Sequence, residues 1–156
     1  MALTGQLASF EAKIENLLKR ADEAGLDDEL RAGLARYACV LTSGYLEEGV
    51  RLVLRTWCGS KAHPTVDAYV NRQLEWFYNA KTGRILDLLS HFSNDWREEF
   101  DSALTDEERD AINSVVNNKN LIAHGKDVGI STEPMKRYFK ACRSAVSKMN
   151  QIVNGG

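Results

Sequence analysis

Apolar residues return at alternating intervals of four and three near the start of the chain, at Leu3, Leu7, Phe10, Ile14, Leu17, Ala21 and Ala24. That spacing predicts a helix with one buried stripe, and Gly25 supplies its stop. A second helix is predicted from about Asp28 to Trp57. Its apolar positions, among them Leu34, Ala38, Leu41, Tyr45, Leu46, Val50, Leu52 and Val53, cover more than half the circumference, so it belongs in the middle of a bundle. Gly59 to Pro64 breaks the pattern and reads as a loop.

Beyond that loop Val66, Tyr69, Val70, Leu74, Phe77 and Tyr78 predict another helix. Ile85, Leu88, Leu89 and Phe92 either continue it past Gly83 or restart it. Ser93 or Asn94 caps a short helix carrying Trp96, Phe100 and Leu104. Thr105-Asp106-Glu107-Glu108 has the form of a capping box, so a helix starts at Asp106. It runs through Ile112, Val115, Val116 and Ile122 to about His124, where Gly125 can take the left-handed conformation that ends it. Ser131-Thr132-Glu133-Pro134 opens the last helix, striped by Met135, Phe139, Cys142, Val146, Met149 and Val153. Nothing alternates with a period of two and nothing repeats. The class is all-α, a compact bundle of about five to six helices, with residues 1–156 reading as a single domain. The matching stripes of the first and last helices suit packing against each other or against a second subunit.

Composition adds that this bundle needs no staples. With 44% hydrophobic and 27% charged residues, the chain has enough apolar side chain to fold around a core without disulfides or metal. No apolar run reaches membrane-spanning length and Met1 to Lys19 lacks the form of a secretory leader, so a cytoplasmic protein with no membrane association is expected. Cys39, Cys58 and Cys142 are odd in number and form no C-x-x-C pair, and Cys58 with His63 lacks a second ligand pair. Neither metal nor cofactor is expected. The net charge is −2 but unevenly placed: from Lys119 onward seven Lys and Arg face only Asp127 and Glu133, leaving −7 on the preceding residues. Such a basic end can face a polyanion or simply be a solvated surface. Lys136, Lys140 and Arg143, opposite the apolar stripe of the last helix, pose the same alternative.

The stretch that points to chemistry is Asn117-Asn118-Lys119-Asn120-Leu121-Ile122-Ala123-His124-Gly125. On a helix Asn113, Asn117, Asn120 and His124 fall in one line. Asparagine is a mediocre helix former, and so many of them in a few turns costs stability that a functional site would explain. His124 falls in the final turn, where an imidazole can take and give a proton near neutral pH. Lys119 lies five residues earlier and is turned about 140° away, yet its stem can bring an ammonium toward an anion over the helix end. Asn120, one turn before His124, can donate to the same anion. By spacing alone, a histidine at a helix end more often serves as a cap. Glu48, at the edge of the central helix's apolar face, can orient a histidine or pair with Arg51 or Arg55. His63 and His91 have no supporting constellation.

Lys119-Asn120-Leu121-Ile122-Ala123-His124-Gly125 resembles the signature of the HEPN superfamily, an Arg often followed by Asn and then a His at the end of a core helix. With Tyr45-Leu46-Glu47-Glu48 and the aromatic-rich middle, it is similar to the RiboL-PSP-HEPN branch over most of the chain. The resemblance implies a HEPN-like helical bundle that dimerises so that two motifs face one cleft. It also implies metal-independent RNA cleavage, as a toxin or antiviral (phage-defence) effector with RNA as partner and an antitoxin or regulatory protein as another. Carried over, His124 serves as acid or base, Asn120 orients substrate, Lys119 stands in the place of Arg, and Glu48 and Asn117 support them. Lys keeps the charge of Arg but loses its planar fork of donors. The alternative that follows is a HEPN module weak or inactive in cleavage that binds RNA or a protein partner.

Overall fold

The computed structural model describes residues 2–155, with side chains from Gly5 onward; Leu3 of the first stripe therefore lies outside the described side chains. Among the described residues seven helices follow one another: α1 (Ala2–Ala21), α2 (Asp28–Lys61), α3 (Pro64–Leu74), α4 (Thr82–Phe92), α5 (Asn94–Ala103), α6 (Asp106–Ala123) and α7 (Thr132–Asn154). No strand occurs among the described residues, and none of the helices is long and apolar enough to cross a membrane.

The count exceeds the expected five to six because the middle of the chain restarts rather than continues. Gly83 is not the break; it lies inside α4. The break is the turn after Leu74, and side chains of α2 hold it open. Arg51 donates from Nε to the Leu74 carbonyl (3.1 Å) and from its guanidinium to the Phe77 carbonyl (2.5 Å). The Glu47 carboxylate accepts the Asn79 N–H (2.7 Å), and Asn79 is left-handed, with φ 54. These bonds replace the helical ones that the turn gives up.

Two other boundaries move for local reasons. α2 runs through Gly59 to Lys61, Ser60 donating its hydroxyl to the Trp57 carbonyl (2.9 Å), so the predicted loop shrinks to Ala62 and His63. Pro64 fixes that break: the residue before a proline is driven extended, and His63 has ψ 143 while its Nδ1 accepts the Thr65 N–H (3.2 Å) as the cap of α3. α1 stops at Ala21, whose carbonyl accepts from Arg31 Nε (2.8 Å), and Gly25 (φ 80) lies in the following turn.

α2 is the axis, packed against α1, α6 and α7. Ala38, Cys39, Leu46, Val50 and Val53 on it are buried. α7 comes close enough at Gly49 that an added Cβ would sit 3.0 Å from Val146 Cγ1, and Tyr45 packs edge-on against Phe139, ring centroids 5.8 Å apart. α1 and α7 also touch, Arg143 pairing with Glu11 (3.5 Å) and Glu15 (3.1 Å), although both bury their stripes mainly on α2. The three cysteines are free and buried, and burial pushes the Cys39 thiol up to about 11.

Candidate functional site

α6 is fixed at both ends. At its start Thr105 Oγ1 accepts the Glu108 N–H (3.1 Å) and the Glu108 carboxylate accepts the Thr105 N–H (3.0 Å), the reciprocal pair expected from the sequence. Glu108 is buried and also accepts from Ser144 (2.7 Å) and Lys148 (2.9 Å) on α7, so the cap doubles as a clamp between helices. At its far end His124 is the C-cap (φ −91, ψ 12) and Gly125 turns left-handed (φ 71). The Gly125 N–H then reaches the Ile122 carbonyl (3.0 Å) and the Lys126 N–H the Leu121 carbonyl (2.9 Å). Those two bonds define a Schellman motif, which satisfies helix-end carbonyls and turns the chain back over the last helical turn.

The side chains around this end line one open groove of about 590 Å³, formed by Asn117, Asn120, Leu121, His124 and Lys126. Three residues singled out from the sequence, Asn117, Asn120 and His124, therefore meet on one surface, with His124 exposed. The helix dipole and the last carbonyls make this end of α6 its negative pole. The groove thus combines an imidazole able to exchange protons, two amides able to donate or accept, and one ammonium.

Other predicted participants are engaged elsewhere. Asn113 Oδ1 accepts the Thr82 N–H (3.0 Å) at the start of α4, whose own cap position, Lys81, supplies no side-chain bond. One of the costly asparagines is thereby a helix cap acting from a distant segment. Lys119 donates from Nζ to Asn79 Oδ1 (3.0 Å) and does not line the groove. Glu48 pairs with Arg51 (3.3 Å) and Arg55 (3.7 Å). On α7, Lys136 bonds Asp22 and Glu133 while Arg143 bonds Glu11 and Glu15, so much of the basic stripe is neutralised by α1 and its neighbours. Hydrogen bonding to Asp22 and Glu133 raises the affinity of Lys136 for its proton.

Among the described residues no group of three or more His, Cys, Asp or Glu could hold a metal ion. Cys58 is buried and His63 serves as the α3 cap. Four residues near the groove and its flanking turn escape sequence reasoning: Glu47, Arg51 and Asn79, which hold the turn beside Lys119, and Lys126. The first three are brought together only by tertiary packing. Lys126 had a signal, the left-handed glycine just before it, but helical periodicity stops at Ala123 and gives no direction for a residue beyond the cap.

The sequence model of the family described as RiboL-PSP-HEPN matches residues 7–155 of the chain. No curated protein and no solved structure matches it.

Proposed function

The chain belongs to the RiboL-PSP-HEPN family, and on that premise we propose that it is a metal-independent endoribonuclease with His124 at the centre of its site. The observation that carries this reading is the groove at the end of α6, where an exposed imidazole stands beside Asn117, Asn120 and Lys126. Such a set suits cleavage by the neighbouring ribose hydroxyl. In that reaction the 2′-oxygen bonds to phosphorus, the P–O5′ bond breaks, and the products are a 2′,3′-cyclic phosphate and a 5′-hydroxyl. One imidazole takes the 2′-hydroxyl proton and an acid returns a proton to the departing 5′-oxygen. In a homodimer with facing motifs, His124 of the partner subunit acts as that acid. Asn120 orients the substrate or the histidine, and Asn117 supports it. We read residues 1–156 as one such domain, acting in the cytoplasm on RNA as a toxin or defence effector held in check by an antitoxin or regulatory protein.

A second reading is favoured by one contact. Lys119 stands where the family pattern has Arg, and its ammonium is bound to Asn79 rather than turned into the groove. This fits a module that binds RNA or a protein partner with little cleavage. One experiment separates the two: incubation of the purified protein with mixed tRNA and structured RNA in EDTA, comparing wild type, His124→Ala and Lys119→Arg. Cleavage by wild type that His124→Ala abolishes, ending in cyclic phosphate, is the expected result. Cleavage by Lys119→Arg alone selects the second reading, and cleavage that survives in His124→Ala removes His124 from the mechanism.

A further inference from the structure

We infer that Lys126 is the cation that receives the RNA phosphate in the His124 groove, and that Lys119 instead tethers the turn between α3 and α4. This rests on the ribonuclease reading. A phosphate approaching His124 meets the carbonyl end of α6, where the helix dipole repels anions. No basic residue lies in the last turn of α6 to offset that repulsion. The cation lining the groove is Lys126, brought there by the Schellman turn: left-handed Gly125 reverses the chain and the bond from Lys126 N–H to the Leu121 carbonyl (2.9 Å) pins its backbone over the helix end. Its side chain is exposed and, among the described residues, has no ion pair or hydrogen bond to hold it elsewhere.

Lys119 has the opposite character. It is half-buried, absent from the groove lining, and bonded to the side chain of Asn79, whose own N–H is held by Glu47. One of its three donors holds this ammonium at Asn79, away from the groove lining, whereas Lys126 starts free beside His124. The two lysines thus divide the work, Lys119 closing the turn that separates α3 from α4 and Lys126 supplying the charge.

The test measures binding of an uncleavable 2′-O-methyl RNA oligonucleotide over a series of salt concentrations, together with thermal stability, for wild type, Lys126→Ala, Lys126→Arg and Lys119→Ala. A single lost phosphate contact lowers the slope of log affinity against log salt by about 0.7 and weakens binding roughly fivefold at moderate salt. Lys126→Ala is expected to show both effects at unchanged melting temperature, with Lys126→Arg restoring them. Lys119→Ala is expected to melt lower and keep the wild-type slope. Binding by Lys126→Ala with wild-type affinity and slope overturns the assignment, as does a slope lost in Lys119→Ala. Wild type that neither binds this oligonucleotide nor cleaves RNA overturns the ribonuclease reading, and the assignment with it.

Discussion

Gly125 has φ 71 where the chain leaves α6, and a Cβ built there meets nothing within 4 Å. The demand for glycine is therefore one of backbone conformation, not space. An L-residue in the left-handed region costs about 1–2 kcal/mol, so Gly125→Ala is expected to lower stability by that amount in urea denaturation, while Gly125→Asn loses less. Wild-type stability in Gly125→Ala would show that the Schellman turn does not hold in solution. Since the same turn positions Lys126, the alanine variant is also expected to bind RNA more weakly than its folded fraction accounts for. Asn79, left-handed at φ 54, reaches this region without being glycine, and its side chain is used as well as its backbone.

At the scale of elements, the start of α6 was readable because its signals are local. Thr105 and Glu108 are three residues apart, and their reciprocal bonds depend on little else. Thr105→Ala is expected to cost about 1 kcal/mol, the usual loss for a capping side chain, read as a shift of the urea midpoint. Glu108 adds a pH dependence. Burial acts to raise its carboxyl, but the bonds from Lys148, the Thr105 amide and Ser144 outweigh it and hold the group below its ordinary value of 4.5. A carboxylate depressed in the folded state contributes stability that is whole above the unfolded value and is lost as pH falls through the folded one. The stability of wild type is thus expected to decline more steeply below pH 4.5 than that of Glu108→Gln. Parallel curves for the two proteins would exclude Glu108 as a source of the acid sensitivity. The end of α3 was unreadable for the converse reason. Arg51 and Glu47 lie more than twenty residues before the backbone groups they hold, and no local spacing announces them.

At the scale of the whole molecule, the bundle depends on how closely α7 approaches α2. Both branches of Val146 crowd the position a Gly49 side chain would take, at 3.0 and 3.1 Å. Alanine is favoured over glycine in a helix by about 1 kcal/mol, but a buried β-branched neighbour has few rotamers to move into, and overpacking costs about 1–3 kcal/mol. Gly49→Ala is therefore expected to destabilise, and Val146→Ala in the same chain to recover part of the loss; a double-mutant cycle measures the coupling. Additive effects would mean that the helices separate freely at this point.

The sequence by itself determined the class, all-α, and the termini of α6, because helical stripes, capping boxes and left-handed glycines are written within a few residues of where they act. It also brought Asn117, Asn120 and His124 onto one line, since a single rigid helix carries all three. Only the tertiary structure decided that Asn113 caps α4, that Lys119 answers to Asn79, and that Lys126 joins the groove. The first two depend on which distant segment lies alongside. The last depends on a reversal of direction that helical periodicity does not reach.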